Sequence, residues 1–237
     1  MKIETYVMVN NEELLVPYIM RHYGSFSKVI FLESNSTDRT VELGIKLGAI
    51  IRKYEIPDEL DNMTMLQIKE YCWHGSEADW VIVCDADEFV YHPDIISVLD
   101  KSKATVIHPT FHNMFSDQFP TTEGQIYDEV NMGTPDGDFW LSKMNLFKPK
   151  EIIKMNYAIG AHHAYPEGNV IIDNNSGIKT LHMNFLGRQY LINRYRRNKE
   201  RHSTKDRQNG WGIQSLWSEE QINHYFDEQL KRVIKIV

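Results

Sequence analysis

The chain has two cysteines in 237 residues, Cys72 and Cys84, and no CxxC pair, which excludes a disulfide framework and a cysteine-ligated zinc site. Each falls in an apolar segment and reads as a reduced core residue. A basic excess is also missing: 26 Lys and Arg stand against 33 Asp and Glu, for a net charge of −7. Nonspecific nucleic-acid binding needs a basic face, so it is excluded as the main role. Residues 1–7 pass directly into a β-rich run without the apolar core of a signal peptide, which makes the cytoplasm the expected compartment. Internal repeats and low-complexity segments are absent. A mean hydropathy of −0.45 fits neither a membrane protein nor a disordered one. What is present is a soluble globular chain, 42% hydrophobic and 25% charged, long enough to bury a full core.

One stretch organises the rest, Asp79-Trp-Val-Ile-Val-Cys-Asp-Ala-Asp-Glu-Phe-Val90. Residues 80–84 run apolar without interruption, the pattern of a strand buried on both faces, and the run then ends in carboxylates. Asp85 and Asp87 are two apart in an extended segment and project to the same side, where two desolvated anions repel. A divalent cation relieves that repulsion. Hard oxygen ligands select Mg²⁺ or Mn²⁺, which arrives with phosphate oxygens and water completing its shell, so the ligand expected is phosphorylated. An isolated Asp-x-Asp can also be a capped, solvated turn. Position favours function, because open α/β sheets bind ligands at the carboxyl ends of their strands.

Before this strand the chain alternates. Residues 3–9, 28–32 and 49–54 read as strands. Helices carry Leu15, Tyr18, Ile19 and His22, then Val41, Gly44 and Ile45, then Met65, Ile68 and Cys72. Such alternation with short links implies a parallel sheet with right-handed crossovers. Past Asp87 it fails. Residues 93–99 read as a short helix and 104–111 as a strand, while 115–140 is long, polar and rich in Gly, Pro and Asp, as expected of a mobile lid. Short strands are expected at 143–147, 158–164, 169–172 and 178–185. Helices follow at 189–201 and 218–237, the second opened by a Ser218/Gln221 capping box.

The first hundred residues resemble a family 2 glycosyltransferase with the GT-A fold. The likeness is carried by a strand ending in Asn11-Glu12, a strand followed by Glu33-Ser-Asn-Ser-Thr-Asp38, and Cys84-Asp-Ala-Asp-Glu88. Where that family has Asp-Asn or Asp-Asp, this chain has Glu33. The resemblance implies an α/β fold, a GT-A-like single domain over 1–187. Its nucleotide-binding half (1–100) is doubly wound and mainly parallel, its acceptor half (101–187) mixed or antiparallel, and a helical extension (188–237) follows. It implies a nucleoside-diphosphate sugar donor, UDP-sugar favoured, held by Asn11, Glu12, Glu33, Asp38, Asp85 and Arg188. It further implies Mn²⁺ or Mg²⁺ on Asp87, with His182 in Leu181-His-Met-Asn-Phe-Leu-Gly187 as a second metal ligand. The region with Asn209-Gly-Trp-Gly212 is similar to bacterial enzymes that build surface polysaccharide, which points to a glycan or lipid-linked acceptor.

The chemistry implied is displacement at an anomeric carbon by an acceptor hydroxyl, with inversion. The family's usual Glu-Asp base pair has no match, leaving Asp138 and then Asp136 as candidates beside Trp140, although Pro135-Asp-Gly is a turn signal in its own right. Trp140, Trp211, His162 and His163 are candidate substrate contacts, and adjacent histidines on a strand would face opposite sides. The basic run from Arg188 to Arg207 reads either as a solvated helix face or as a diphosphate clamp or surface for anionic lipid, which would give a peripheral contact at the inner face of the membrane. Alternatives are a Mg-dependent phosphatase, a nucleotidyltransferase, or a non-catalytic sugar-nucleotide binder. Phe89 and the missing downstream acidic motif argue against the first. The missing Gly-rich basic loop near the N-terminus argues against the second.

Overall fold

The computed structural model describes residues 1–54, 62–135 and 143–237. Its first part is β1 (Ile3–Val9), α1 (Val16–Tyr23), β2 (Lys28–Glu33), α2 (Thr40–Lys46), β3 (Ile50–Lys53), α3 (Asn62–Tyr71) and β4 (Trp80–Asp85). The second part begins with β5 (Glu88–Tyr91), α4 (Ile95–Lys101), β6 (Val106–Ile107), β7 (Thr110–Ser116), α5 (Ile126–Glu129) and β8 (Met132–Gly133). It continues through β9 (Leu146–Phe147), β10 (Ile152–Lys154), β11 (Glu167–Gly168), β12 (Ile172–Asp173) and β13 (Lys179–Leu186). Last come α6 (Arg188–Arg201), α7 (Thr204–Asn209), α8 (Glu219–Leu230) and β14 (Ile234–Lys235).

The expected α/β architecture is present. A seven-stranded sheet runs β12-β6-β9-β4-β1-β2-β3, with β4, β1, β2 and β3 mutually parallel and β9 antiparallel to both neighbours. The central strands are buried on both faces because their alternate residues join different cores. Trp80, Ile82 and Cys84 of β4 pack with α1, whereas Val81 and Val83 pack with Ile68 and Cys72 around α3. That double burial is why the strand reads as a continuous apolar run. From β1 the chain winds outward through β2 and β3, then returns to place β4 on the other side of β1. The reversal opens a crevice beyond the carboxyl ends of β1 and β4, where such sheets bind ligands.

A second sheet, β14-β8-β7-β13-β5, is mixed: β13 is parallel to β7 and antiparallel to β5. β4 belongs to the first sheet and β5 to the second, so the chain crosses between them over Ala86 and Asp87. β13 then turns into α6 at Gly187, whose φ of 89° is a conformation that favours glycine. A third apolar cluster of Phe115, Phe185, Leu191, Ile192, Ile222 and Phe226 seats α6 and α8 on β7 and β13.

Several expectations are corrected. The span 115–140 is not a bare loop in its described part. It completes β7 and contains α5 and β8, with Ile126 and Val130 fully buried in the main core. Backbone oxygens of Pro120 and Gly124 accept from Tyr18 and Arg21 of α1 at 2.8 Å each, which fastens the segment down. Residues 159–161 form a 3-10 turn rather than a strand, reached through Gly160 and Ala161 at positive φ. The final helix begins at the expected capping box but ends at Leu230, after which β14 pairs with β8.

Candidate active site

β13 and the α6 helix that follows it come from about a hundred residues away to meet the chain at the β4–β5 crossing. Asp87 is 1% exposed, and its Oδ2 lies 2.7 Å from His182 Nε2 on β13 and 2.5 Å from Arg194 on α6. The first contact follows from strand register: His182 lies opposite Glu88, and Met183 N donates to the Asp87 carbonyl at 2.7 Å. The β13–β7 register shifts between His182 and Phe185, a local irregularity of the sort that re-aims side chains beside sites. Burial by itself would raise the Asp87 carboxyl, but Arg194 and then His182 outweigh it and hold it well below the usual carboxylate range. Burial works against the Arg194 charge too, yet Asp87 overrides it and keeps the guanidinium protonated.

Asp85 has a different set of partners. Its two oxygens accept from Lys69 of α3 and from Lys143, each at 2.7 Å, and Lys143 also reaches Glu88 at 2.6 Å. Asp85 Oδ2 is thus one end of a bridge through a buried ammonium to a fully buried carboxylate. Against the raising effect of burial, Lys143 and then Lys69 depress the Asp85 carboxyl, and the two acids raise the lysine. The mutual repulsion expected of the Asp-x-Asp pair is therefore already relieved by the protein's own cations, two lysines on Asp85 and Arg194 on Asp87.

Asn11, Glu12, Glu33 and Asp38 are brought together where the loops after β1 and β2 knit. Asn11 Oδ1 accepts from Thr37 N at 2.7 Å and Asp38 N at 3.2 Å. Asp38 accepts from Glu13 N at 3.1 Å, and Glu33 from Ser36 N at 2.6 Å. These bonds shape the loops, so three residues singled out for a nucleotide, Asn11, Glu33 and Asp38, also hold the loop backbone. Glu12 N donates to Thr40 at 2.7 Å while its carboxyl turns toward the crevice, 3.8 Å from Arg197. Burial pushes that carboxyl up to about 7, with Asp87 and Asp38 adding to the rise and Arg194 and Arg197 opposing it. The crevice itself is small, about 120 Å³, lined by Asn10, Glu12, Ser34, Asp85, Ala86, Arg194 and Arg201 among others.

Other expected residues lie elsewhere. Arg188 is committed to Asp227 and to the Asn223 carbonyl on α8 and stacks over Phe226, so its guanidinium supports the helical region instead of pointing at the Asp85–Asp87 turn. His162 and His163 are half-buried at the 3-10 turn that packs on α3. Trp211 follows α7, its carbonyl bonded to His202 Nε2 at 2.7 Å. Asp136, Asp138 and Trp140 lie outside the described residues. Sequence reading missed Lys69, Lys143 and Glu88 as site residues, and nothing local marks a buried lysine as a carboxylate's partner. Arg194, Arg197 and Arg201 were visible only as part of a basic run.

No family model and no curated protein matches the chain. Among solved structures it is similar to glucosyl-3-phosphoglycerate synthase from Mycobacterium tuberculosis in complex with Mn²⁺, UDP and phosphoglyceric acid. The identity is 18%, covering 46% of this chain and 43% of that one, with a TM-score of 0.36. Mannosyl-3-phosphoglycerate synthase from Rubrobacter xylanophilus is similar at 14% identity, covering 46% of this chain and 40% of that one, with a TM-score of 0.35. The chain thus spans less than half the length of these solved chains, and a likeness of this extent carries no functional argument.

Proposed function

We propose that the chain is a metal-assisted glycosyltransferase moving a sugar from a nucleoside-diphosphate donor, UDP-sugar foremost, to a hydroxyl of a glycan, lipid-linked or polymer acceptor with inversion. The observation that carries this reading is the meeting of Asp87 with His182 at 2.7 Å beside the crevice where the sheet's winding reverses. Among the described residues no group of three His, Cys, Asp or Glu side chains could hold a metal on its own. A carboxylate and an imidazole nevertheless fit Mn²⁺ or Mg²⁺, since such ions take one or two protein ligands and complete their shell with phosphate oxygens and water. A bound ion supplies charge that offsets the departing diphosphate.

The chain's own residues do the rest. His182 presents Nε2 because its Nδ1 faces Asn113 Oδ1 at 2.7 Å, which orients the ring. Asp85, anchored by two lysines, sits at the crevice wall with Asn11, Glu12, Glu33 and Asp38 as the surface for ribose and base. Asp138 and Asp136 remain the proposed bases that take the acceptor proton. Among the described residues no helix is long and apolar enough to cross a membrane. A cytoplasmic enzyme touching the membrane only peripherally is our reading of where it works. The test is calorimetric titration with UDP and GDP, with Mn²⁺ and with chelator. We expect binding that requires the ion, and equal affinity in the two conditions would refute the metal assignment.

A further inference from the structure

α6 presents Tyr190, Arg194, Arg197 and Arg201 along one face, at spacings of four, three and four residues that keep them aligned on a helix. Arg194 and Arg201 line the crevice, and Tyr190, Arg194 and Arg197 line the pocket beside it. Arg194 holds Asp87, Arg197 donates to the Asn11 carbonyl at 2.6 Å, and Arg201 donates to the Asn10 side-chain oxygen. The charges there do not balance. Asp85 is matched by two lysines and Asp87 by Arg194, so among the described residues Arg197 and Arg201 have only Glu12 between them, 3.8 Å from Arg197. Both guanidiniums otherwise face neutral carbonyl oxygens, one helical turn apart, where like charges repel. Burial, and then Arg197, depress the Arg201 guanidinium below its ordinary value. The Tyr190 hydroxyl, on the same face, is buried without a hydrogen-bond partner among the described residues. Two under-neutralised arginines flank Arg194: Arg201 in the crevice, and Arg197 with the unmet phenol in the adjoining pocket that Arg194 also lines; together they form a site for an anion.

We propose that Arg194, Arg197 and Arg201 form a clamp for a diphosphate group, latched in the free protein by the protein's own oxygens on Asp87, Asn11 and Asn10. The identity of that group as the donor's diphosphate rests on the function proposed above. At about 120 Å³ the crevice is below the roughly 300 Å³ of a small-molecule site, so a nucleotide enters only when the latch opens. Opening is coupled to binding by chemistry already present. Diphosphate oxygens are stronger acceptors for guanidinium than neutral carbonyls, and a bidentate fork suits them. A base or ribose that takes up Asn10 or Asn11 removes the latch's acceptors at the same moment. Arg194 is the arm that must leave Asp87 Oδ2 for an ion to gain that oxygen.

The test uses the full chain and inorganic pyrophosphate with EDTA present, so that neither a metal nor a nucleotide is needed. Calorimetry should show pyrophosphate binding to the wild type that weakens about tenfold or more in Arg197→Gln and in Arg201→Gln, a loss of the size expected for one charge-assisted contact. Glutamine retains an amide donor for the Asn10 and Asn11 oxygens, and unchanged melting temperatures would show the fold intact. Arg196→Gln should bind as the wild type does, because Arg196 pairs with Glu219 on the exposed side of the helix. No pyrophosphate binding to the wild type, unaltered binding in both Gln variants, or an equal loss in Arg196→Gln would overturn the clamp. Inorganic phosphate binding as tightly as pyrophosphate would overturn the diphosphate assignment. Pyrophosphate behaving as expected while UDP with Mn²⁺ fails to bind would leave the clamp standing and remove the nucleotide reading.

Discussion

His182, half-buried, and Lys143, buried, show how differently two polar residues serve one turn. His182 Nδ1 lies 2.7 Å from Asn113 Oδ1 and its Nε2 lies 2.7 Å from Asp87 Oδ2, so the ring is held with Nε2 toward the carboxylate that would share an ion with it. His182→Ala should weaken Mn²⁺-dependent UDP binding by about 10–100-fold, and Asn113→Ala should do so in the lower part of that range. A lowered melting temperature with an unchanged Mn²⁺ titration would instead make His182 a core residue. Lys143 bridges Asp85 and Glu88 and is 6% exposed. Lys143→Met should destabilise the fold by about 3–5 kcal/mol, because it strands two carboxylates without their common cation. Denaturant melts of this variant with Glu88→Gln added check the cause: the second change should restore part of the loss if an unpaired buried charge is responsible.

At the scale of elements, the segment after β7 is where local pattern misled most. Gly, Pro and Asp over 115–140 read as a lid, yet Ile126 and Val130 insert into the main core and α1 donates to Pro120, Thr122 and Gly124. An apolar residue every few positions in a polar stretch is too sparse to show a period, and its burial depends on a helix a hundred residues earlier. Ile126→Ala should therefore cost about 2–5 kcal/mol in a chemical melt, as a buried truncation does and a lid residue does not. Residues 117–130 should also resist limited proteolysis in the ligand-free protein. Cleavage there as fast as in a disordered peptide would contradict the packing. α1 itself was legible because Leu15, Tyr18, Ile19 and His22 recur with its period, and all four are buried.

For the molecule as a whole, stability against acid should depend on a residue remote from the site. His22 is enclosed in the core, donating from Nε2 to the Val90 carbonyl at 3.0 Å, and burial lowers its pKa from 6.5 to about 4, the carbonyl contact opposing weakly. Between those values the unfolded chain binds more protons than the folded one, so stability falls as pH drops through 6.5 toward 4. At pH 5 the loss from this group is about 2 kcal/mol. Glu12 acts in the opposite sense: its raised value near 7 means that its contribution is full below about 4.5 and is lost as pH rises through 7. The two offset each other in between. Comparing wild type with His22→Gln at pH 7 and pH 5 isolates the first, and the variant should lose less stability on acidification. An identical pH slope in both proteins would show that His22 is not the cause.

A partnership of Asp87 with His182 was implied only by the family resemblance, whereas the sequence by itself determined the parallel sheet, the crossing helices and the buried strand ending at Asp85. Those features are set by short-range periodicity and by an apolar run bounded by charge, which physics reads locally. Only the tertiary structure decided who neutralises whom. Lys69 and Lys143 approach Asp85 from a helix and from a segment 58 residues away. Arg194 crosses 107 residues to Asp87, and Arg197 crosses 186 to Asn11. Such pairings follow from how β13 docks on β5 and how Gly187 aims α6 over the crevice. Charge has no period along the chain, so its partners are fixed only once the backbone has closed in space.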